Sequence, residues 1–200
     1  MRKTLKPTLE ILAGIPTVAI GFFAVSFLLP ELIQPLWPDG LHGGAVGKPF
    51  MALAASLGIG LMVVPIIASL SDDAMSAVPR GLREGAFAMG ATKMEVSTKV
   101  VFPAALSGIV ASVVLAISRA LGETMIVVLA AGSTPNLTGW PNEAIQAMTS
   151  YIAVTATGDI PAGSISYKSI FAVGTLLFLM TLAMNVISIR LVRKYREVYE

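Results

Sequence analysis

Residues 71–103 read SDDAMSAVPRGLREGAFAMGATKMEVSTKVVFP, with membrane-length apolar sequence on either side. The segment holds Arg80, Arg83, Lys93 and Lys99 among Asp72, Asp73, Glu84 and Glu95. A stretch this charged is excluded from hydrocarbon, so residues 72–99 form a water-facing loop between two membrane spans. Its internal order predicts two short helical stretches broken at Gly90, with Pro103 opening the next span. The chain reads as a polytopic all-α membrane protein whose loop has a shape of its own.

Composition agrees. Of the 200 residues 55% are hydrophobic and 13% charged, with mean hydropathy +0.79, against roughly 25% charged in soluble domains. Four segments reach the ~20 residues needed to cross ~30 Å of hydrocarbon: 11–30, 49–70, 104–131 and 170–189. Trp37, between Pro35 and Pro38, reads as an interfacial anchor after the first span. The outer connection 132–168 carries turn-rich sequence around a helical stretch, 143–157. Cysteine is absent and His42 is the single histidine, so neither a disulfide framework nor a metal cluster is available.

Charge fixes the orientation. Arg2, Lys3 and Lys6 precede the first span, four basic residues follow the second, and Arg190, Arg193, Lys194 and Arg196 follow the last. The other two loops hold only Lys48 and Lys168. By the positive-inside rule both termini and the loop 72–99 are cytoplasmic. A pI near 9.0 then reflects this asymmetry, and no nucleic-acid motif accompanies it.

Within the loop, Leu82, Ala86, Met89 and Lys93 fall at i, i+4, i+7 and i+11, a largely apolar stripe suited to a groove in another protein. Gly90 permits the turn between helices, Met89 supplies an adaptable contact, and Glu84 sits near a helix start. Taken alone, these residues also suit an amphipathic loop resting on the membrane. Their spacing discriminates. Glu84-Gly85-Ala86, three residues, Gly90, nine residues, then Val100, Phe102 and Pro103 resembles the cytoplasmic signature of membrane subunits of binding-protein-dependent ABC importers, Glu-Ala-Ala, Gly, Ile-x-Leu-Pro. Gly85, Val100 and Phe102 depart from it, by small or apolar exchanges at positions where a helix-turn-helix needs close packing.

The segments 9–25, 117–125 (ISRALGETM) and 178–200 look like the permease subunits of high-affinity phosphate (Pst-type) importers, of the PstC kind. The resemblance implies a type I ABC importer permease fold, with about four transmembrane helices here plus cytoplasmic coupling helices, in a bacterial or archaeal inner membrane. It implies about two further spans before Met1, so the chain is expected to lack N-terminal helices. Implied partners are a second homologous permease, a cytoplasmic ATPase dimer carrying ATP and Mg, an extracytoplasmic phosphate-binding protein and phosphate itself. This chain has no Gly-x4-Gly-Lys-Ser/Thr segment, so no cofactor is expected on it.

Arg119 and Glu123 are the only charges within the four spans. A charge at mid-helix costs about 2.5–3.5 kcal/mol on insertion scales, so such residues normally pair and mark a path for ions or substrate. At i and i+4 of one helix the two can meet, and Gly108, Ser112 and Gly122 extend a small and polar stripe on the same face. A guanidinium suits bidentate contact to an oxyanion. Arg119, Glu123 and Ser112 are therefore the candidate substrate path, and the resemblance assigns phosphate translocation to Arg119 and Glu123. Read without it, the pair equally suits a structural salt bridge. Three further readings stand beside phosphate import: permeation of sulfate, molybdate or phosphonate, a non-transporting assembly subunit, and an intramembrane enzyme using Arg119, Glu123 and His42. The last has no zinc or nucleophile motif to support it.

Overall fold

The computed structural model describes residues 2–36 and 48–195, with side chains described for 6–36 and 48–190. Trp37, Pro38, His42 and the charged tail beyond Tyr195 lie outside the described residues. Eight helices follow in order: α1 (Arg2–Ala13), α2 (Thr17–Leu36), α3 (Ala52–Ser76), α4 (Arg80–Ala88), α5 (Lys93–Leu121), α6 (Met125–Ala130), α7 (Met148–Thr157) and α8 (Ile165–Tyr195). No strand occurs among the described residues. Four helices, α2, α3, α5 and α8, are long and apolar enough to cross a membrane, and their bounds differ informatively from those expected.

The first span starts at Thr17, not residue 11, because Pro16 adopts φ −58° and ψ 135° and forces the chain out of helix. Residues 11–13 belong instead to α1. At its far end α3 runs to Ser76, so Asp72 and Asp73 ride on the last turns of a span. The second loop stretch does not stop at Pro103. α5 is continuous from Lys93, with wide i→i+5 turns over Val96–Val101 just upstream of the proline. Proline lacks an N–H and crowds the carbonyl four residues back, so a widened turn at that place lets the helix pass it. Ala24–Ile33 does the same around Pro30.

The third span ends at Leu121, ten residues before its expected end at 131. The N–H groups of Gly122 and Glu123 turn back to Arg119 and Ala120 carbonyls at 3.2 Å, and a separate helix, α6, follows. The helix α7, in the connection after the third span, begins at Met148, not Glu143. Residues 141–145 are held in other bonds: Ala52 N–H donates to Glu143 O (2.9 Å), Leu53 N–H to Pro141 O (2.8 Å), and Ile145 N–H to Ala131 O (3.0 Å). Met51 N–H adds a bond to Ala130 O at 2.9 Å. These carbonyls satisfy the orphan donors at the start of α3, which in lipid have no water to turn to.

The chain divides into two compact units: residues 1–13, 64–118 and 182–200 in one, and 14–63 and 119–181 in the other. In the second unit a core of Ala24, Leu28, Leu29, Met51, Val127 and Ala130 joins α2, the start of α3 and α6. Gly21 lets α2 close on α6, since a Cβ there would lie 2.8 Å from Leu129 Cδ1. In the first unit Ser71 and Ser112 hydroxyls meet at 2.9 Å, Ser118 donates to Asn185 Oδ1 at 3.0 Å, and Lys6 pairs with Asp73. The hydrogen bond to Asp73 holds the Lys6 ammonium above its ordinary 10.5.

Gly108 sets the closest approach of α3 and α5. A Cβ there would fall 2.5 Å from Ala74 Cβ. Gly108→Leu is expected to cost about 1–3 kcal/mol of stability, read as a lower unfolding temperature of the detergent-solubilised complex, whereas Gly60→Leu, where a Cβ meets nothing within 4 Å, leaves it nearly unchanged.

Candidate coupling loop and translocation site

The loop opens where Pro79 (φ −53°, ψ 138°) ends the connection from α3 and caps α4. α4 places Arg80 and Arg83 in its first turn and Glu84 just beyond, so the carboxylate lies outside the turn where the helix dipole acts most strongly. Met89 closes the helix, and Gly90 follows with φ +83°, a left-handed conformation that side chains resist. The chain then restarts at Thr92, whose hydroxyl accepts from Glu95 N–H (3.3 Å) while Glu95 Oε2 accepts from Thr92 N–H (3.0 Å), a reciprocal capping box for α5. The apolar stripe expected to reach Lys93 therefore stops at Met89. Lys93 belongs to α5.

The exposed face of the loop is more apolar than its spacing suggested. Met89 is 89% and Met94 77% exposed, and Leu82 and Phe87 are exposed with them. Phe87, on α4 itself, and Met94, beyond the turn at Gly90, are absent from the periodic stripe. Glu84 and Arg80 are exposed too and have no ion pair or hydrogen bond among the described residues. Gly85 corrects the close-packing account given to it: a Cβ there would meet nothing within 4 Å in this chain. Arg83 is the exception on this face. Its Nη2 donates to Met75 O at 2.6 Å, and its Nε is buried. Pro103 sits inside α5 and Ala86 is half-buried on α4.

The charged pair is not a pair. Because α5 ends between them, Arg119 and Glu123 do not share a helical face, and no ion pair joins them among the described residues. Arg119 is exposed in the last turn of α5, with no hydrogen-bond partner among the described residues. Glu123, 9% exposed, turns its Oε1 onto the first N–H groups of α6, accepting from Met125 at 3.1 Å and Ile126 at 3.3 Å. Thr149 Oγ1 on α7 donates to the Glu123 carbonyl at 2.8 Å. The carboxylate thus serves donors exposed by the helix break.

Glu123 also lines a cavity of about 390 Å³ within the second unit, mostly apolar, with Ser56, Gln146, Thr149 and Thr181 as its other polar side chains. Arg119 is not among the lining residues. Ser112 lies in the first unit, 2% exposed, its hydroxyl taken by Ser71 and by Ile109 O (2.7 Å). Gly108 packs closely on Ala74, as small residues do between membrane helices, and the two also line a hollow with Val78, Ala105 and Ser107.

Residues 1–196 match the family of binding-protein-dependent transport system inner membrane components. The chain belongs to this family. It is 33% identical over 180 residues to the probable ABC transporter permease protein YqgH of Bacillus subtilis, covering 90% of this chain and 55% of that one. It is 32% identical over 208 residues to the phosphate transport system permease protein PstC of Haemophilus influenzae, covering 98% and 65%. Against PstC 1 of Mycobacterium tuberculosis the identity is 34% over 202 residues, covering 93% and 59%. The chain thus spans between about half and two thirds of the length of these relatives. A solved structure of inward facing conformations of the MetNI methionine ABC transporter matches with TM-score 0.70 and 21% identity, over 98% of this chain and 76% of that one. At that identity the likeness is one of fold, and the fold is the all-helical type I importer permease expected from the loop signature.

The geometry separates two substitutions at Glu123. Gln keeps an oxygen to accept from Met125 and Ile126, so Glu123→Gln is expected to leave stability within about 0.5 kcal/mol, while Glu123→Ala loses the cap and costs about 1–2 kcal/mol. Unfolding temperatures of the purified complex would check both.

Proposed function

We propose that this chain is a translocation subunit of an ABC importer for inorganic phosphate, working by ATP-driven alternating access with both termini and the loop 72–99 in the cytoplasm. The observation that carries the proposal is Arg119. It is an exposed cation on an apolar span, without a partner among the described residues, and a charge in that setting calls for a counter-charge from outside. A guanidinium near the outer end of the span attracts an oxyanion and forms paired hydrogen bonds with it. A second homologous permease would close the other side of the path, and an extracytoplasmic phosphate-binding protein would deliver the anion. The names borne by the PstC relatives favour phosphate over sulfate, molybdate or phosphonate. Glu123, a carboxylate beside the path, disfavours a second negative charge and so promotes release.

The exposed apolar cluster of α4 and the unpartnered Glu84 support docking on a cytoplasmic ATPase dimer, where ATP and Mg would bind. This chain would do no hydrolysis and would hold no cofactor. The open space at Gly85 suits contact with another protein at a position the signature keeps small.

Arg119→Gln is expected to reduce phosphate uptake at least tenfold in cells or proteoliposomes, the loss of one charge-assisted hydrogen bond of about 1.5–3 kcal/mol. The complex should still assemble, because Glu123 is held by backbone donors and not by Arg119. Uptake at the parental level would refute the path assignment, and loss of sulfate but not phosphate uptake would move the substrate.

Orientation has its own test. Leu137, fully exposed in the outer connection, and Met89 in the loop can each be replaced by cysteine in this cysteine-free chain. An impermeant thiol reagent added to intact spheroplasts should label the cysteine at 137 and spare the one at 89. The reverse pattern would invert the topology.

A further inference from the structure

The geometry points to Arg83 as the positioning residue that makes α4 and the end of α3 move as one body, so that a displacement of the docking helix becomes a displacement of a membrane span. The inference rests on the proposed docking of α4 to an ATPase and assigns a residue to the transmission step itself. Among the charges of α4, Arg80 and Glu84 are exposed and without partners among the described residues, whereas Arg83 is half-buried and faces its own chain. Its Nη2 donates to Met75 O at 2.6 Å. Met75 is the penultimate residue of α3, and its carbonyl, one of the four that a helix end leaves without an intrahelical donor, accepts from Val78 N–H (3.4 Å) as well as from Arg83.

Three features make this contact a joint. A cation at a helix C-terminus complements the dipole as well as the carbonyl. The guanidinium is planar and its Nε is buried without a hydrogen-bond partner among the described residues, so the side chain is enclosed as far back as Nε and the bond at its tip is the polar contact that offsets that burial. The backbone between the helices is short, residues 77–79, and Val78 within it is buried, which leaves the contact spanning a connection already packed. Alongside, Lys6 of α1 pairs with Asp73, two residues before Met75 on α3, so the end of that span is gripped from two elements of the same unit.

A residue that only held the loop folded would affect assembly, ATP hydrolysis and uptake together. A transmission residue affects their ratio. In the complete complex reconstituted in liposomes, Arg83→Gln and Arg83→Ala are expected to keep the ATPase bound, keep a crosslink from a cysteine at Met89 to the ATPase, and keep ATP hydrolysis within twofold. Phosphate imported per ATP should fall at least tenfold. Arg83→Lys, which retains the charge without the planar fork, should fall between these and the parent. An unchanged import-to-hydrolysis ratio in Arg83→Ala would overturn the proposal, and so would failure of all three variants to assemble, since Arg83 would then be a folding residue. Absence of the Met89 crosslink in the parent complex would instead refute the docking of α4, an outcome distinguishable from either.

Discussion

A backbone donor without a partner is costlier in lipid than anywhere else in a protein, and this structure meets that demand at the start of α3 and at the break between α5 and α6. The break at residues 122–124 frees the first N–H groups of α6, and a carboxylate one residue away takes two of them. The start of α3 is met by carbonyls from residues 130, 141 and 143, which is why the outer connection is extended where its apolar spacing suggested helix. Periodicity records which face is apolar; it does not record that Glu143 O has been claimed by Ala52. The same demand explains the widened turns before Pro103 and around Pro30, which keep the spans continuous past residues that cannot donate.

This rule also divides what the sequence revealed from what it concealed. Four spans, a charged loop and a turn at Gly90 were legible because each rests on local properties: hydropathy, charge and a left-handed glycine. The signature from Glu84 to Pro103 was legible because it is a spacing. The relation of Arg119 to Glu123 was not, since an i, i+4 rule assumes a helix that continues, and Gly122 is the only local hint that it does not. Nor could spacing separate Arg83 from Arg80. Both are basic residues of one turn, and only the returning end of α3 gives one of them an acceptor.

Separating the two intramembrane charges changes what each can do. A closed ion pair is largely self-satisfied and offers little to an incoming anion, because the anion must first displace the carboxylate. Here Glu123 is engaged with backbone donors and lines an apolar cavity, while Arg119 has no counter-charge among the described residues. An uncompensated cation on an apolar surface is unstable in a lone subunit, so the arrangement makes sense only when something else covers it. Under the proposed function that cover is the anion together with a second permease subunit, which is why the separation of the two charges bears on the proposal.

The glycines carry the same lesson in reverse. At 21, 58 and 108 a side chain would strike a neighbouring helix, so these residues act within the chain, as small residues do in membrane helix packing. At 81 and 85 nothing stands within 4 Å. Two glycines in the nine-residue α4, with no neighbour that requires them, lower the intrinsic stability of that helix by roughly 1 kcal/mol each relative to alanine. A short helix so weakened cannot hold its shape by propensity; it must be held from outside its own sequence. Arg83 bonded to Met75 O in its first turn and the turn at Gly90 beyond its end are two such constraints. Both lie within the first compact unit, so the helix is held by contacts its own chain supplies.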